Sequence, residues 1–217
     1  MEWSVLFAGS SGAGKTEAIR VVSEAEVLEG RSTGHSGSTV SMDMGVMHLD
    51  NGQRMRLFGA PGNKRFEFMW DVLLQQARGL VVLIDHRLAD PLGELGYYLE
   101  ALGGQATRRP LPVVVGITHT DGHPHPVDLQ PYQARIAQYL QSHPTHHPHG
   151  PVMALDARQA PQVKSLLQAM AELLEKGVNL KRVQLLMGHN SMKTTSIYLH
   201  LANTDQAILP NLACENE

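Results

Sequence analysis

Gly9-Ser10-Ser11-Gly12-Ala13-Gly14-Lys15-Thr16 decides how this chain is read. The segment before it, Trp3-Ser4-Val5-Leu6-Phe7-Ala8, is an apolar run suited to a buried strand, and the residues from about 15 to 25 suit a helix. Strand, then G-x-x-x-x-G-K-[ST], then helix is the order in which a backbone wraps a phosphate. Glycines at 9, 12 and 14 let successive N–H groups point inward. The helix start adds its positive end. Lys15 is placed to meet β- and γ-phosphates, and the Thr16 hydroxyl to meet Mg²⁺. The plainer reading is a flexible Gly/Ser turn. Average composition produces such a match by chance in about one chain in a hundred of this length.

Outward from this loop, the chain alternates. Strand-like segments are expected at 39–49, 53–59, 79–85, 112–117 and 151–155, giving six with the first. Helices are expected near 66–77, 91–103, 129–141 and 160–176. Residues 29–38 are small and polar and read as a mobile loop, and Asp50-Asn51-Gly52 marks a hairpin turn. This alternation predicts an α/β fold, a mixed but mostly parallel six-stranded sheet with helices on both faces. The early hairpin supplies its antiparallel edge.

Composition narrows the class. The chain has 217 residues, 42% of them apolar and 18% charged, which suits a globular domain with a short appendage. Lys and Arg number 18 against 21 Asp and Glu, a net charge of −3, which lacks the surplus of a protein that coats nucleic acid. A single cysteine, Cys214, excludes an internal disulfide and a cysteine-based zinc site. The longest apolar runs, such as 79–84, are too short to span a bilayer, and Met1-Glu2-Trp3-Ser4 begins no secretory signal, so a cytoplasmic location is expected.

Four further segments follow in order: Gly37-Ser38-Thr39-Val40-Ser41-Met42-Asp43, Leu57-Phe58-Gly59-Ala60-Pro61-Gly62-Asn63-Lys64-Arg65-Phe66, Gly116-Ile117-Thr118-His119-Thr120-Asp121, and Leu155-Asp156-Ala157-Arg158. With the first loop they resemble the bacterial Ras/Arf-like small GTPases, a group related to the gliding-motility GTPase and the signal-recognition-receptor β subunit. The resemblance spans about residues 3–176 and implies a P-loop NTPase with a Ras-like domain over 1–176. It implies GTP or GDP with Mg²⁺ as cofactors. Gly9, Gly12, Ala13, Gly14, Lys15 and Thr16 would hold the phosphates. Thr118, His119 and Asp121 with Asp156, Ala157 and Arg158 would surround the base, Asp121 accepting from the guanine N1 and N2 donors and the Ala157 N–H meeting the guanine oxygen. Thr16 and Thr39 would meet Mg²⁺, and Lys15, Thr39, Gly62 and Asn63 would serve hydrolysis. An effector or activating protein, of the roadblock type, is the implied partner. Arg65, Phe66, Phe68 and Trp70 would face it; simple packing of that helix on the sheet is the plainer reading for at least half of them.

Three departures stand out. Thr118-His119-Thr120-Asp121 retains only the Asp of N-K-x-D. Gly59 replaces the Asp of D-x-x-G, leaving Asp43 or Asp85 as substitutes. Asn63 stands where the subgroup has Gln; it is one methylene shorter and reaches an attacking water poorly, so hydrolysis is expected to be slow without a partner. A scaffold that binds nucleotide without turning it over, and a P-loop ATPase, remain the alternative classes.

The last residues carry a second pattern. Leu186-Met187-Gly188-His189, Thr194-Thr195 and Tyr198-Leu199-His200 resemble the C-terminal end of tyrosine recombinases. His189 and Tyr198 would match an active-site histidine and the nucleophile. No His is followed by Arg three residues later, so the phosphate clamp of that family is missing, and 177–217 carries three Lys/Arg against three Asp/Glu. Residues 177–217 are therefore expected to be a non-catalytic helical appendage, with nucleic acid an unexpected partner. The His/Pro-rich stretch 142–150 could bind Zn²⁺ or Ni²⁺, but reads more simply as a solvated loop, and no metal is assigned to it.

Overall fold

The computed structural model describes residues 2–25, 27–33, 39–49, 52–63, 70–105, 111–121, 125–142 and 149–186, with backbone alone for 28–33, 39–41, 71, 102–105 and 177–186. In chain order the elements are β1 (Glu2–Ala8), α1 (Lys15–Val22), β2 (Leu28–Thr33), β3 (Thr39–His48), β4 (Arg54–Gly59), α2 (Trp70–Gln76), β5 (Gly79–Asp85), α3 (Pro91–Gln105), β6 (Val113–Thr118), α4 (Gln130–Ser142), β7 (His149–Ala154) and α5 (Ala160–Leu186). The strands form one sheet in the order β2-β3-β4-β1-β5-β6-β7. β4, β1, β5, β6 and β7 run parallel, and β3 pairs antiparallel with both β2 and β4.

The six expected strands are all present. β2 adds a seventh at the edge, within the stretch read from sequence as a polar loop. Its residues Leu28 to Thr33 pair with Met44 to Thr39. Edge strands need bury neither face, so the apolar alternation that reveals inner strands is absent there. α5 also runs ten residues past its expected end at 176, to Leu186. The chain divides into two compact units, Met1–Leu173 and Leu174–Glu217. All seven strands lie in the first.

Side-chain alternation builds two cores on the two faces of the sheet. Leu6, Leu80, Val82, Ile84, Val115 and Ile117 face one side, where Trp70 and Leu74 of α2, Leu95 and Tyr98 of α3, and Tyr132 and Ile136 of α4 pack against them. Trp70 is 3% exposed and stacks on Tyr98 with ring centroids 5.4 Å apart, so it is core rather than partner surface. Arg65, Phe66 and Phe68 lie outside the described residues. The opposite face is covered by α1 and α5, with Ile19 against Gly45 and Met170 against Gly79. Trp3 is buried at 4% exposure. With both faces covered, the inner strands β5 and β6 are buried at every position, which is why they read as unbroken apolar runs. The C-terminal ends of β1, β5 and β6 then meet at one edge of the sheet, where the site lies.

Candidate functional site

β1 ends at Ala8, and the next six residues turn back over the strand ends before α1 begins at Lys15. Gly9, Gly12 and Gly14 adopt φ of 150°, 86° and 90°. Only glycine takes these values without strain. Gly14 caps α1 with no side-chain hydrogen bond, which leaves the helix's first N–H groups for an anion. Lys15 is 8% exposed and its Nζ donates to the carbonyls of Gly9 and Ser10, each at 2.8 Å. Burial lowers its pKa to about 8, while Asp43 and Glu94 pull the other way. The Ser10 hydroxyl is buried with no protein partner among the described residues. A poorly solvated cation, an orphaned hydroxyl and an uncapped helix start make up the donor set that a polyphosphate requires.

The neighbouring segments close on this loop. A Cβ at Gly62 would lie 2.6 Å from the Ser11 nitrogen and 2.8 Å from Lys15 Nζ, so the chain after β4 passes directly over the phosphate loop. Asn63 follows it, exposed. Thr118, 1% exposed at the end of β6, donates its hydroxyl to Ala13 O at 3.0 Å and Ile84 O at 3.2 Å. His119 Nε2 lies 2.9 Å from Gly12 O. Thr118 and His119, which stand in place of the Asn and Lys of N-K-x-D, thus tie β6 to the loop through hydrogen bonds of their own. Ala157 is buried against Gly14, where an added Cβ would come within 2.9 Å of Ala157 Cβ.

Beside the loop lies a cavity of about 840 Å³ lined by Gly14, Thr118, His119, Asp121, Ala157 and Arg158 among others. Two matching clamps flank it. At the end of β5, the Arg87 N–H, Nε and Nη2 donate to the Asp85 carboxylate at 2.9, 3.0 and 2.8 Å. After β7, the Arg158 N–H, Nε and Nη2 donate to Asp156 at 2.9, 2.8 and 2.9 Å. Each pair is an Asp-x-Arg at the C-terminal end of a strand. Hydrogen bonds from the arginine hold both carboxyls below the usual aspartate range. Arg158 Nη2 also reaches Asp121 Oδ2 at 2.5 Å. Sequence reasoning passed over Arg87; the repeated Asp-x-Arg is the signal that would have found it.

Thr16 Oγ1 donates to Asp43 Oδ2 at 2.5 Å, and Asp43 is 8% exposed. Asp85, the other candidate for the missing D-x-x-G carboxylate, is committed to Arg87 and lies 3.7 Å from His119 Nε2. Thr39 starts β3, its backbone paired with Thr33. A hydroxyl and a carboxylate are hard oxygen donors, the kind that Mg²⁺ takes.

The family described as conserved hypothetical ATP binding protein matches residues 21–200. The chain belongs to that family. Among solved structures, this ATP binding protein family member is similar to the Arl6 BBS3 small GTPase from Trypanosoma brucei with bound nucleotide analogue GppNp: TM-score 0.64, 14% identity, 81% of this chain and 99% of that one. It is also similar to the bacterial selenocysteine-specific elongation factor EF-Sec, with TM-score 0.56 and 16% identity, over 81% of this chain and 29% of that one. The chain thus shares its fold with that small GTPase and that elongation factor. A stretch of 34 residues is 56% identical to a tyrosine recombinase of Thermosipho africanus (strain TCF52B), covering 16% of this chain and 12% of the recombinase. Within the ATP binding protein family, the matched span begins after the Gly9–Thr16 loop. His189, Tyr198 and the His/Pro residues 143–148 lie outside the described residues, and among the described ones no helix is long and apolar enough to cross a membrane.

Proposed function

We propose that this protein is a nucleotide-operated switch that binds GTP with Mg²⁺ and hydrolyses it slowly. The observation that carries the reading is the convergence of Gly62, Thr118, His119 and Ala157 on a single phosphate loop, with Asp121 on the rim of the adjoining cavity. In this arrangement the N–H groups of residues 12–16 and the Lys15 ammonium hold the phosphates. The Gly62 N–H faces the terminal phosphate. Asp121 and the Ala157 N–H read the base, and Asp156 and Arg158 brace the wall behind it. Thr16 and Thr39 would hold Mg²⁺, which would supply neutralisation of phosphate charge. Asn63 stands beside the reacting end but is short for orienting water, so an activating partner supplies what is missing. The segments 30–45 and 60–75, which touch the terminal phosphate through Thr39 and Gly62, present an effector surface whose shape follows the nucleotide, with a roadblock-type protein as the partner class.

A second reading is an ATP-dependent switch on the same loop. It is favoured by the family's description and by the Arg158 guanidinium, which engages the Asp121 carboxylate that would otherwise select guanine. Competition of unlabelled GTP and ATP against one labelled nucleotide decides between them. Preference for GTP is expected; equal competition or preference for ATP overturns the guanine assignment. Residues 177–217 are proposed to be a non-catalytic appendage, which predicts no DNA cleavage by the wild type or by Tyr198→Phe.

A further inference from the structure

We propose that Arg87, two residues past the end of β5, stacks its guanidinium on the purine ring of the bound nucleotide; this assignment rests on the nucleotide-binding reading above. The chain leaves β5 with side chains going two ways. His86 turns to α4, its Nδ1 2.7 Å from the Tyr132 hydroxyl. Arg87 instead lines the cavity of about 840 Å³ beside the phosphate loop, with Thr118, His119, Asp121 and Ala157. A purine has two flat faces, and a site that binds it gains by covering at least one. No Phe, Tyr or Trp is among the described residues that line this cavity. Its planar groups are the guanidiniums of Arg87 and Arg158 and the imidazole of His119. Arg158 Nη2 bridges Asp156 and Asp121, so it shifts when a base edge reaches Asp121. His119 Nε2 is spent on Gly12 O of the phosphate loop. Arg87 is anchored by Asp85, a group that no base edge competes for.

The anchoring prepares a flat surface. The Arg87 N–H, Nε and Nη2 all go to one carboxylate, at 2.9, 3.0 and 2.8 Å. A carboxylate gripped by two guanidinium nitrogens lies close to the guanidinium plane, which leaves the faces of that plane open. The Asp85 side chain is 9% exposed and that of Arg87 is 61% exposed, so the clamp is rooted in the protein and its planar end is accessible. The rotamer freedom of a long side chain is spent before any ligand arrives, which lowers the cost of binding. The Asp85 hydrogen bonds, with the Asp121 carboxylate adding to them, push the Arg87 pKa up, so the group that meets the ring is a cation, which ring faces favour. Asp85 offsets that charge, so Arg87 competes little with Lys15 for the phosphates.

The test separates ring from phosphates. Affinities of GTP, 7-deaza-GTP and ribose 5′-triphosphate are measured by isothermal titration, with ATP and its 7-deaza form in parallel. Ribose 5′-triphosphate carries the phosphates without a ring, and the 7-deaza forms keep the ring without the N7 acceptor. Arg87→Lys keeps the charge and removes the plane. It is expected to weaken GTP and 7-deaza-GTP alike, by about 5–30-fold, and to leave ribose 5′-triphosphate unchanged. Arg87→Met, with the same expected pattern, covers the case in which the Lys variant does not fold. Unchanged affinity for GTP overturns the assignment, as does a loss shared equally by ribose 5′-triphosphate, which marks a structural role. A loss for GTP that 7-deaza-GTP escapes also overturns it, because Arg87 then reads the ring's edge. Each of these leaves nucleotide binding standing. A wild-type chain that binds neither GTP nor ATP overturns both.

Discussion

Asp121 and Arg158 form an ion pair, Nη2 to Oδ2 at 2.5 Å, on the rim of the cavity beside the phosphate loop. Both side chains are more than half exposed, so the pair is opened easily by a ligand that offers better donors to the carboxylate. Guanine does so with N1 and N2, and adenine does not. Asp121→Ala is therefore expected to weaken GTP by about 10–100-fold and to leave ATP unchanged, the loss of one charge-assisted contact. Arg158→Ala frees the carboxylate and is expected to widen the preference for GTP. Isothermal titration with both nucleotides measures each effect.

Lys15 gives the site a pH dependence. Its pKa of about 8 in the protein alone rises when phosphate is bound, because the anion favours the charged amine. Nucleotide affinity is therefore constant below about pH 8 and falls as pH rises through that value, by up to about tenfold per unit. Without nucleotide the sign reverses: a lysine pKa lowered by folding opposes folding while charged, so stability climbs between pH 8 and 10.5. Lys15→Met is expected to bind weakly and to lose both slopes in equilibrium binding and denaturant titrations.

Gly62 is spaced to touch the loop. Gly62→Ala brings a methyl group within 2.6 Å of the Ser11 nitrogen and forces the segment away. The proposed contact to the terminal phosphate is then lost, at about 1.5–3 kcal/mol. Affinity for a non-hydrolysable GTP analogue is expected to fall by about 10–100-fold while GDP is held as before. Equal losses for both would place Gly62 outside terminal-phosphate sensing.

Asn63→Gln lengthens the exposed side chain by one methylene. Single-turnover hydrolysis without a partner is expected to rise by about tenfold, the worth of one well-placed hydrogen bond at the transition state. A rate that does not change would mean that the slow step lies elsewhere.

The Asp85–Arg87 clamp acts on stability in acid. Asp85 has a folded pKa below its ordinary 3.8, chiefly through the Arg87 hydrogen bond. Its contribution is therefore present above pH 3.8 and lost as pH falls through the lowered value. Arg87→Ala is expected to reduce the urea midpoint at pH 7 and to have little effect near pH 2, where the wild type has lost the same contribution.

Much of the fold was legible in the chain. Gly79–Asp85 announces itself because a strand covered on both faces must be apolar throughout. The Gly9–Thr16 loop does so because its backbone admits few other residues. β2 was hidden: an edge strand owes its existence to the backbone of β3, which leaves little trace in side-chain pattern. At the site, Thr118 and His119 look like losses against a motif, yet each finds a loop carbonyl. Hydrogen-bonding capacity, which a motif does not encode, decided that. Asp43 and Asp85 looked alike in sequence; in the structure Asp43 accepts from Thr16 and Asp85 pairs with Arg87, partners that the sequence does not announce.

Trp70 gives the protein a built-in optical probe. It begins α2, a few residues after Gly62, and its indole lies flat on Tyr98, with Tyr97 edge-on at 6.5 Å. The chain's only other tryptophan is Trp3. Replacing Trp3 with Phe would leave one emitter, buried in the core at the start of α2. Any rearrangement of the first turn of α2 would then change its emission, so a nucleotide response that reaches this helix could be read by fluorescence with no label attached.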